Sequence, residues 1–212
     1  PRGKPSPKLA ITVDADVHRR VIAAAADEGV SVSAWMTEAA RRALLIRDGL
    51  RAVAEWEEEH GGFTQAELDA ARRRVADEMV ASASLAGVSV VYDAGVLIAA
   101  ERDDRQVWAD HRVRLEVGAV SSTTAPVVAQ VSRSPRQAQL RRFLRGCDVV
   151  AFAPEEAHDV GDLLGKAGVA DIVDAHVVVT AARVNATVLS SDPDDLRRLS
   201  DQLPVPVRVQ RI

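Results

Sequence analysis

The sequence predicts an α/β protein, with a central parallel sheet sandwiched between helices over residues 89–212. A strand–helix–helix head and a helical connecting segment precede it. Three observations carry this reading. From Val88 onward, short β-rich runs alternate with helical runs, the pattern of parallel strands and their crossovers. Residues 8–13 alternate in polarity and are followed at once by two capped helical runs. Charge also changes along the chain. Residues 1–52 hold nine Lys/Arg against six Asp/Glu, residues 53–87 three against eight, and residues 88–212 fifteen against seventeen. A mildly basic head followed by an acidic stretch points to two separate jobs.

In chain order, residues 1–7 are rich in Pro, Lys and Arg and are expected to be a mobile tail. Between Lys8 and Val13, Leu9, Ile11 and Val13 face one way, and Lys8, Ala10 and Thr12 the other. A lone strand cannot satisfy its own backbone, and no neighbouring stretch offers a partner. Asp14 or Asp16 caps a helix to about Glu28, with Gly29 stopping it. Ser31 or Ser33 caps a second helix to about Arg47. Residues 8–48 are too few to fold comfortably alone, so a dimer joined through an antiparallel ribbon of two such strands is the natural repair.

Residues 49–79 read as two short helices broken at Gly61-Gly62, with Trp56, Phe63, Leu68 and Val75 as their large apolar groups. Thr64 and Glu67 have capping-box spacing. Such a segment cannot build a core and is expected to lie across a partner surface. Residues 80–88 read as a linker. Strands are then expected at residues 89–92, 119–122, 147–152, 187–190 and 205–210, with helices between them.

Hydrophobic residues make up 47% of the 212, which is ordinary for a globular chain and argues against disorder throughout. Cys147 is the single cysteine, so no internal disulfide forms and a cytoplasmic location is expected. No apolar run is long enough to span a membrane, and no signal peptide is visible. The chain opens on Pro1 without Met, which leads us to expect a start further upstream.

The densest chemistry lies in Val169 to Leu196. Asp171 and Asp174 are three apart at the start of a helical run and share a face. Asp192 stands where the following strand ends, as Asp93 ends the first strand. If those strands are neighbours, Asp93, Asp174 and Asp192 converge at one sheet edge. Carboxylates so gathered repel, and their pKa values rise unless a cation neutralises them. An oxygen-only site without Cys or His suits Mg²⁺ or Mn²⁺, which organise attack of water on a phosphodiester. Asp171 reads equally as the cap of its own helix.

Two resemblances follow from these residues. Residues 8–48 resemble the ribbon-helix-helix family of DNA-binding proteins. That resemblance implies that Lys8, Ala10 and Thr12 face base edges of an operator, and that amides around Ser33 hold a phosphate. The segments VVYDAGVLIAAE, TTAPVVAQVSR, ADIVDAH and LSSDPDDL, in that order, resemble the PIN domain of VapC-type toxins, which are metal-dependent ribonucleases. The head and WEEEHGGFTQAEL resemble the matching VapB antitoxin, here in the same chain.

The resemblance to VapC implies a PIN-like α/β/α sandwich acting on RNA. Asp93, Asp174 and Asp192 would be its catalytic metal ligands, with Asp171 as a further contact. The family's usual Glu is replaced by Gln130, which can coordinate through its carbonyl but brings no charge and cannot act as a base. Glu101 is a weaker compensating candidate. The resemblance to VapB implies that Trp56, Phe63 and Leu68 anchor an inhibitory segment, while one of Arg72, Arg73 and Arg74 replaces the cation among the carboxylates. Inhibition in cis and in trans across a homodimer or higher oligomer both fit. Arg133, Arg136, Arg141 and Arg142 read either as a basic rim for RNA or as solvated helix faces. An alternative reading of the whole is a DNA-binding transcriptional regulator with an inactive PIN-like domain, which Gln130 favours.

Overall fold

The computed structural model describes residues 7, 9–81 and 90–212. The rest of the expected tail, Lys8, and residues 82–88 of the expected linker lie outside the described residues. Two units divide the chain, residues 1–43 and residues 44–212. The first three helices are α1 (Ala15–Asp27), α2 (Val32–His60) and α3 (Gln65–Ala81). The strands that follow are β1 (Val90–Tyr92), β2 (Ser121–Thr124), β3 (Cys147–Val150), β4 (Thr187–Ser190) and β5 (Val209–Arg211). Between them run α4 (Ala94–Glu101), α5 (Arg105–Glu116), α6 (Ala125–Val131), α7 (Ala138–Phe143), α8 (Ala157–Ala167), α9 (Ile172–Arg183) and α10 (Asp194–Ser200).

The strands pair in the order β3-β2-β1-β4-β5, and every pairing is parallel. Parallel neighbours need crossovers, and the intervening helices supply them. All residues of β1 and β4 are buried, as in strands covered on both faces. From β1 the chain steps outward to β2 and β3, then returns to β4 on the other side. The sheet therefore reverses its winding between β1 and β4, where open α/β sheets form their crevice.

Local signals set the helix starts. The carboxylate of Asp14 accepts from the Val17 amide at 2.9 Å, and the hydroxyl of Ser31 accepts from the Ala34 amide at 3.1 Å. At α3 the Thr64 amide donates to Glu67 at 2.7 Å while the Glu67 amide donates to the Thr64 hydroxyl at 3.2 Å, a complete capping box. Two expectations change. The second helix does not end near Arg47 but runs through Gly49 to His60. A Cβ at Gly49 would lie 2.6 Å from the Gly146 Cα, so two backbones touch there and only glycine fits. The last strand is also shorter than expected, because Pro204 and Pro206 have no amide hydrogen for the ladder.

Residues 44–81 belong to the larger unit and share its core. Trp56 is fully buried and stacks on Phe63 and on Trp108, each at 5.2 Å between ring centroids. Its indole N–H donates to Asp103 at 2.9 Å. Asp103 is held at φ 60°, a conformation that Asp tolerates better than most residues. Further along, Ala71 and Val75 pack on Ala109 and Val113 of α5.

Charge complements this apolar seam. Glu57 pairs with Arg112 at 2.9 Å, Glu59 with Arg142, Glu55 with Arg145, and Glu67 with Arg105 at 2.6 Å. Arg105 also donates to the carbonyls of His60, Gly61 and Gly62. The acidic stretch seen in the sequence thus faces arginines of the sheet-bearing part.

Beneath α5 lies a buried polar group without a carboxylate partner. His111 has Nδ1 3.2 Å from the Tyr92 hydroxyl and its ring against Phe143, with Nε2 unpartnered. Burial, and then the charge of Arg114, push its pKa down to about 3. Its folded value lies below the unfolded one, so its share of stability is complete above about pH 6.5 and is lost as pH falls. Comparing the chain with His111→Gln by urea unfolding at pH 8 and pH 5, the difference in stability should shift by about 2 kcal/mol against the native residue at the lower pH. A pH-independent difference would refute a buried neutral His111.

The smaller unit carries α1 and the first turns of α2. Residues 9–13 are exposed and form no strand there, with Leu9 exposed at 86%. A groove of about 190 Å³ opens among Ile11, Val13, Val21, Ile22, Val32 and Met36, with His18 at its rim. A ribbon needs a second copy of the strand, which a single chain cannot provide.

Candidate functional site

The crevice between β1 and β4 is where the acidic residues gather. Asp93 follows β1 directly, and its amide donates to the Leu189 carbonyl at 3.0 Å, which locks its backbone beside β4. Asp192 stands two residues beyond β4. The first turn of α9 brings in Asp171 and Asp174, because α9 runs back across the sheet and starts at the strands' carboxyl edge. Asp171 caps that helix, accepting from the amides of Val173 at 2.8 Å and Asp174 at 3.2 Å.

Asp93 is 8% exposed, yet only one of its carboxylate oxygens has a partner. The Ser190 hydroxyl donates to Oδ2 at 2.7 Å, while Oδ1 is buried without a donor. The Asp192 amide donates to the same Ser190 oxygen at 3.0 Å, so Ser190 ties the two aspartates together. Gly95 lets the loop after β4 close on α4, since a Cβ there would lie 2.8 Å from the Ser191 nitrogen. Neither Ser190 nor Gly95 stood out in the sequence. A hydroxyl two positions before a strand-end aspartate was the available signal.

The carboxylates feel one another. Burial raises the pKa of Asp93, and the charges of Asp171 and Asp192 push it the same way, against the Ser190 hydrogen bond and the pull of the adjacent Ala94 amide. Asp174 is pushed up to about 7, first by burial and then by Asp171, Asp93, Asp195 and Asp192. These are the marks of an acidic pocket lacking a neutralising charge. Among the described residues, no three His, Cys, Asp or Glu side chains form a preassembled metal cage. Asp174 is half-exposed and Asp192 exposed.

Gln130, on α6, has a buried Oε1 without a donor. Glu101 does not supplement the aspartates, because its carboxylate accepts from the Leu140 amide at the start of α7. His176 is buried against Glu156 at 3.2 Å.

The expected arginine plug is not there. Arg74 forms a two-oxygen pair with Asp110 on α5, with its closest contact at 2.6 Å. Arg72 bonds Asp69 at 2.8 Å on its own helix, and Arg73 is exposed. The physical reason is the seat of α3. It packs along α5, where Ala71 and Val75 meet Ala109 and Val113 and Arg74 meets Asp110, and this holds its arginines on α5 rather than at the aspartates. Trp56, Phe63 and Leu68 do pack onto the sheet-bearing part or within the segment: Trp56 is fully buried, Leu68 is buried, and Phe63 is half-buried.

In the head, Ala10 and Thr12 are exposed, and Lys8 lies outside the described residues. Ser31 rather than Ser33 caps α2, which leaves Ser33 in the exposed first turn. Of the basic-rim candidates, Arg142 is taken up by Glu59, and Arg133, Arg136 and Arg141 are exposed.

The fold and crevice define an α/β protein with an acidic pocket at the switch point of a parallel sheet. No protein-family model matches the chain, and no curated protein matches it. Among solved structures, the VapBC2 complex of Rickettsia felis bound to a DNA fragment from its promoter is similar, with a TM-score of 0.44 and 14% identity. The match covers 59% of this chain and 99% of that one. Among the described residues, no helix is long and apolar enough to cross a membrane.

Proposed function

We propose that the chain is a VapBC-like toxin–antitoxin fusion whose α/β part is a metal-dependent endoribonuclease of the PIN class. The observation that carries this is the gathering of Asp93, Asp171, Asp174 and Asp192, with a buried carboxylate oxygen that no donor among the described residues satisfies. Unneutralised oxygen donors of this kind fit Mg²⁺ or Mn²⁺. Asp93, Asp174 and Asp192 would hold the ion, with Asp171 mainly engaged as a cap and Gln130 offering at most a neutral carbonyl. When bound, such an ion supplies a more acidic water and stabilises charge on the phosphodiester oxygens. The chain's own work is positional: Ser190 fixes one oxygen of Asp93 and leaves the other free.

Residues 44–81 act in this reading as the antitoxin-like part, docked in cis. Their restraint on the nuclease comes from masking rather than plugging. Glu55 and Glu59 occupy Arg145 and Arg142, two guanidiniums that RNA phosphates would otherwise attract. The head is proposed to dimerise and to bind operator DNA through Lys8, Ala10, Thr12 and the amides near Ser33.

The test is incubation of the purified full chain with single-stranded RNA in Mn²⁺, Mg²⁺ or EDTA. Slow cleavage in Mn²⁺ or Mg²⁺ and none in EDTA is expected, with the rate rising in Glu55→Gln/Glu59→Gln, which unmasks the two arginines. The neutral side chain of Gln130 favours a second reading, a DNA-binding regulator with a silent nuclease fold. Retained operator binding with no cleavage in either metal would select it.

A further inference from the structure

A groove of about 420 Å³ runs between α4 and α6 and continues from the acidic crevice, since Ala94 in its wall directly follows Asp93. Leu97, Ile98 and Val131 form an apolar stretch of its wall, Glu101 and Gln137 complete it with the Glu101 carboxylate engaged by the Leu140 amide, and Gln130 presents an oxygen without a partner among the described residues nearby. At the far end of α4 stands Arg102, and Arg133 follows α6, both lining the groove. The two guanidiniums are exposed and make no hydrogen bond or ion pair among the described residues.

Their freedom contrasts with the arginines around them. Arg105, Arg112, Arg114, Arg142 and Arg145 are each tied to a carboxylate of residues 44–81. The docked segment therefore neutralises one basic surface and leaves this one open. An eight-residue helix spans about 12 Å at 1.5 Å per residue, so Asp93 and Arg102, which flank α4, stand about that far apart along its axis.

We infer that this groove is the subsite for the RNA strand on one side of the scissile phosphate. Arg102 and Arg133 contact backbone phosphates, and the apolar wall receives a base. The assignment rests on the ribonuclease reading for its choice of RNA, but its test measures binding and not cleavage. The probe is a fluorescein-labelled single-stranded RNA of mixed sequence, titrated with the full chain in EDTA over a range of salt.

For Arg102→Ala/Arg133→Ala, the slope of log affinity against log salt should fall in magnitude by about 1.4, at about 0.7 per phosphate contact on a single strand. Arg141→Ala, an equally exposed charge outside the groove, should leave the slope unchanged. Among the described residues none of the three guanidiniums has a partner, so the fold should tolerate these changes, and circular dichroism checks that it does. Wild-type affinity and slope in the double variant would overturn the assignment, as would no RNA binding by the native chain or an equal loss in Arg141→Ala. Should the native chain cleave RNA while the double variant binds as it does, the groove fails and the nuclease stands. A reduced slope in a chain that never cleaves keeps the groove and removes the nuclease.

Discussion

Asp93→Asn in the full chain is expected to reduce metal-dependent RNA cleavage by at least about a hundredfold, since charge stabilisation by a bound metal is worth several kcal/mol and each 1.36 kcal/mol is a factor of ten. The amide keeps the size and can still accept from Ser190, so the structural tie is preserved while the charge goes. Stability should be unchanged or slightly higher. The native carboxylate is buried with one oxygen unsatisfied and stands near other negative charges, all of which cost free energy at neutral pH. Activity and unfolding measured on the same preparation check both halves. Cleavage within a few-fold of wild type would remove Asp93 from the reaction.

Much of this site was legible because its signals are local. A strand ending in Asp, a helix opening with Asp171-x-x-Asp174, and a second strand followed by Asp192 are each visible within a dozen residues. Only the neighbourhood of β1 and β4 had to be supplied by the fold. Other features depend on contacts between distant elements, and these were misread or missed. The second helix was expected to stop near Arg47, yet it runs on through Gly49, which marks a point where two backbones meet. The arginines of α3 offered suitable chemistry, but their targets depend on where α3 points. That direction is set by the packing and ion pairs of α3 on α5. Arg114 gave no warning of burial, since a charged residue in a helix is ordinarily on the surface. The alternation over residues 8–13 was legible too, but residues 9–13 form no strand in the single chain.

Arg114 leads to the second large effect. Its guanidinium donates to both oxygens of Glu78, at 2.6 and 2.8 Å, and both side chains are 3% exposed. It also donates to the Tyr92 hydroxyl at 3.3 Å. Glu78→Ala should cost about 3–5 kcal/mol in urea unfolding, because a charge is left buried without its counterpart. The double variant Glu78→Leu/Arg114→Met removes both charges and should recover most of that loss, since well-packed apolar replacements of buried pairs are often neutral or better. A single-variant cost below about 1 kcal/mol would show that water reaches the pair.

The prediction bears on how the chain should be handled. Glu78 belongs to α3 and Arg114 to α5 of the sheet-bearing part. A fragment starting near residue 88 would expose Arg114 together with the surface of Trp108 that Trp56 covers. An inactive fragment would then say little about the crevice, which is why the cleavage test uses the whole chain.

The meeting of Gly49 with Gly146 has a further consequence, concerning which changes of length the chain can absorb. A helix advances about 100° with each residue. Gly49 must face Gly146 while Trp56, seven residues on, faces Trp108, and both demands fall on one side of α2. One residue inserted or deleted between them would put the two contacts out of phase. Either the indole would turn away from its slot, or a side chain would meet a backbone where only hydrogen fits. A surface loop accommodates such edits cheaply. Between positions 49 and 56, α2 therefore works as a keyed shaft, open to substitution on its outer side but fixed in its count of residues.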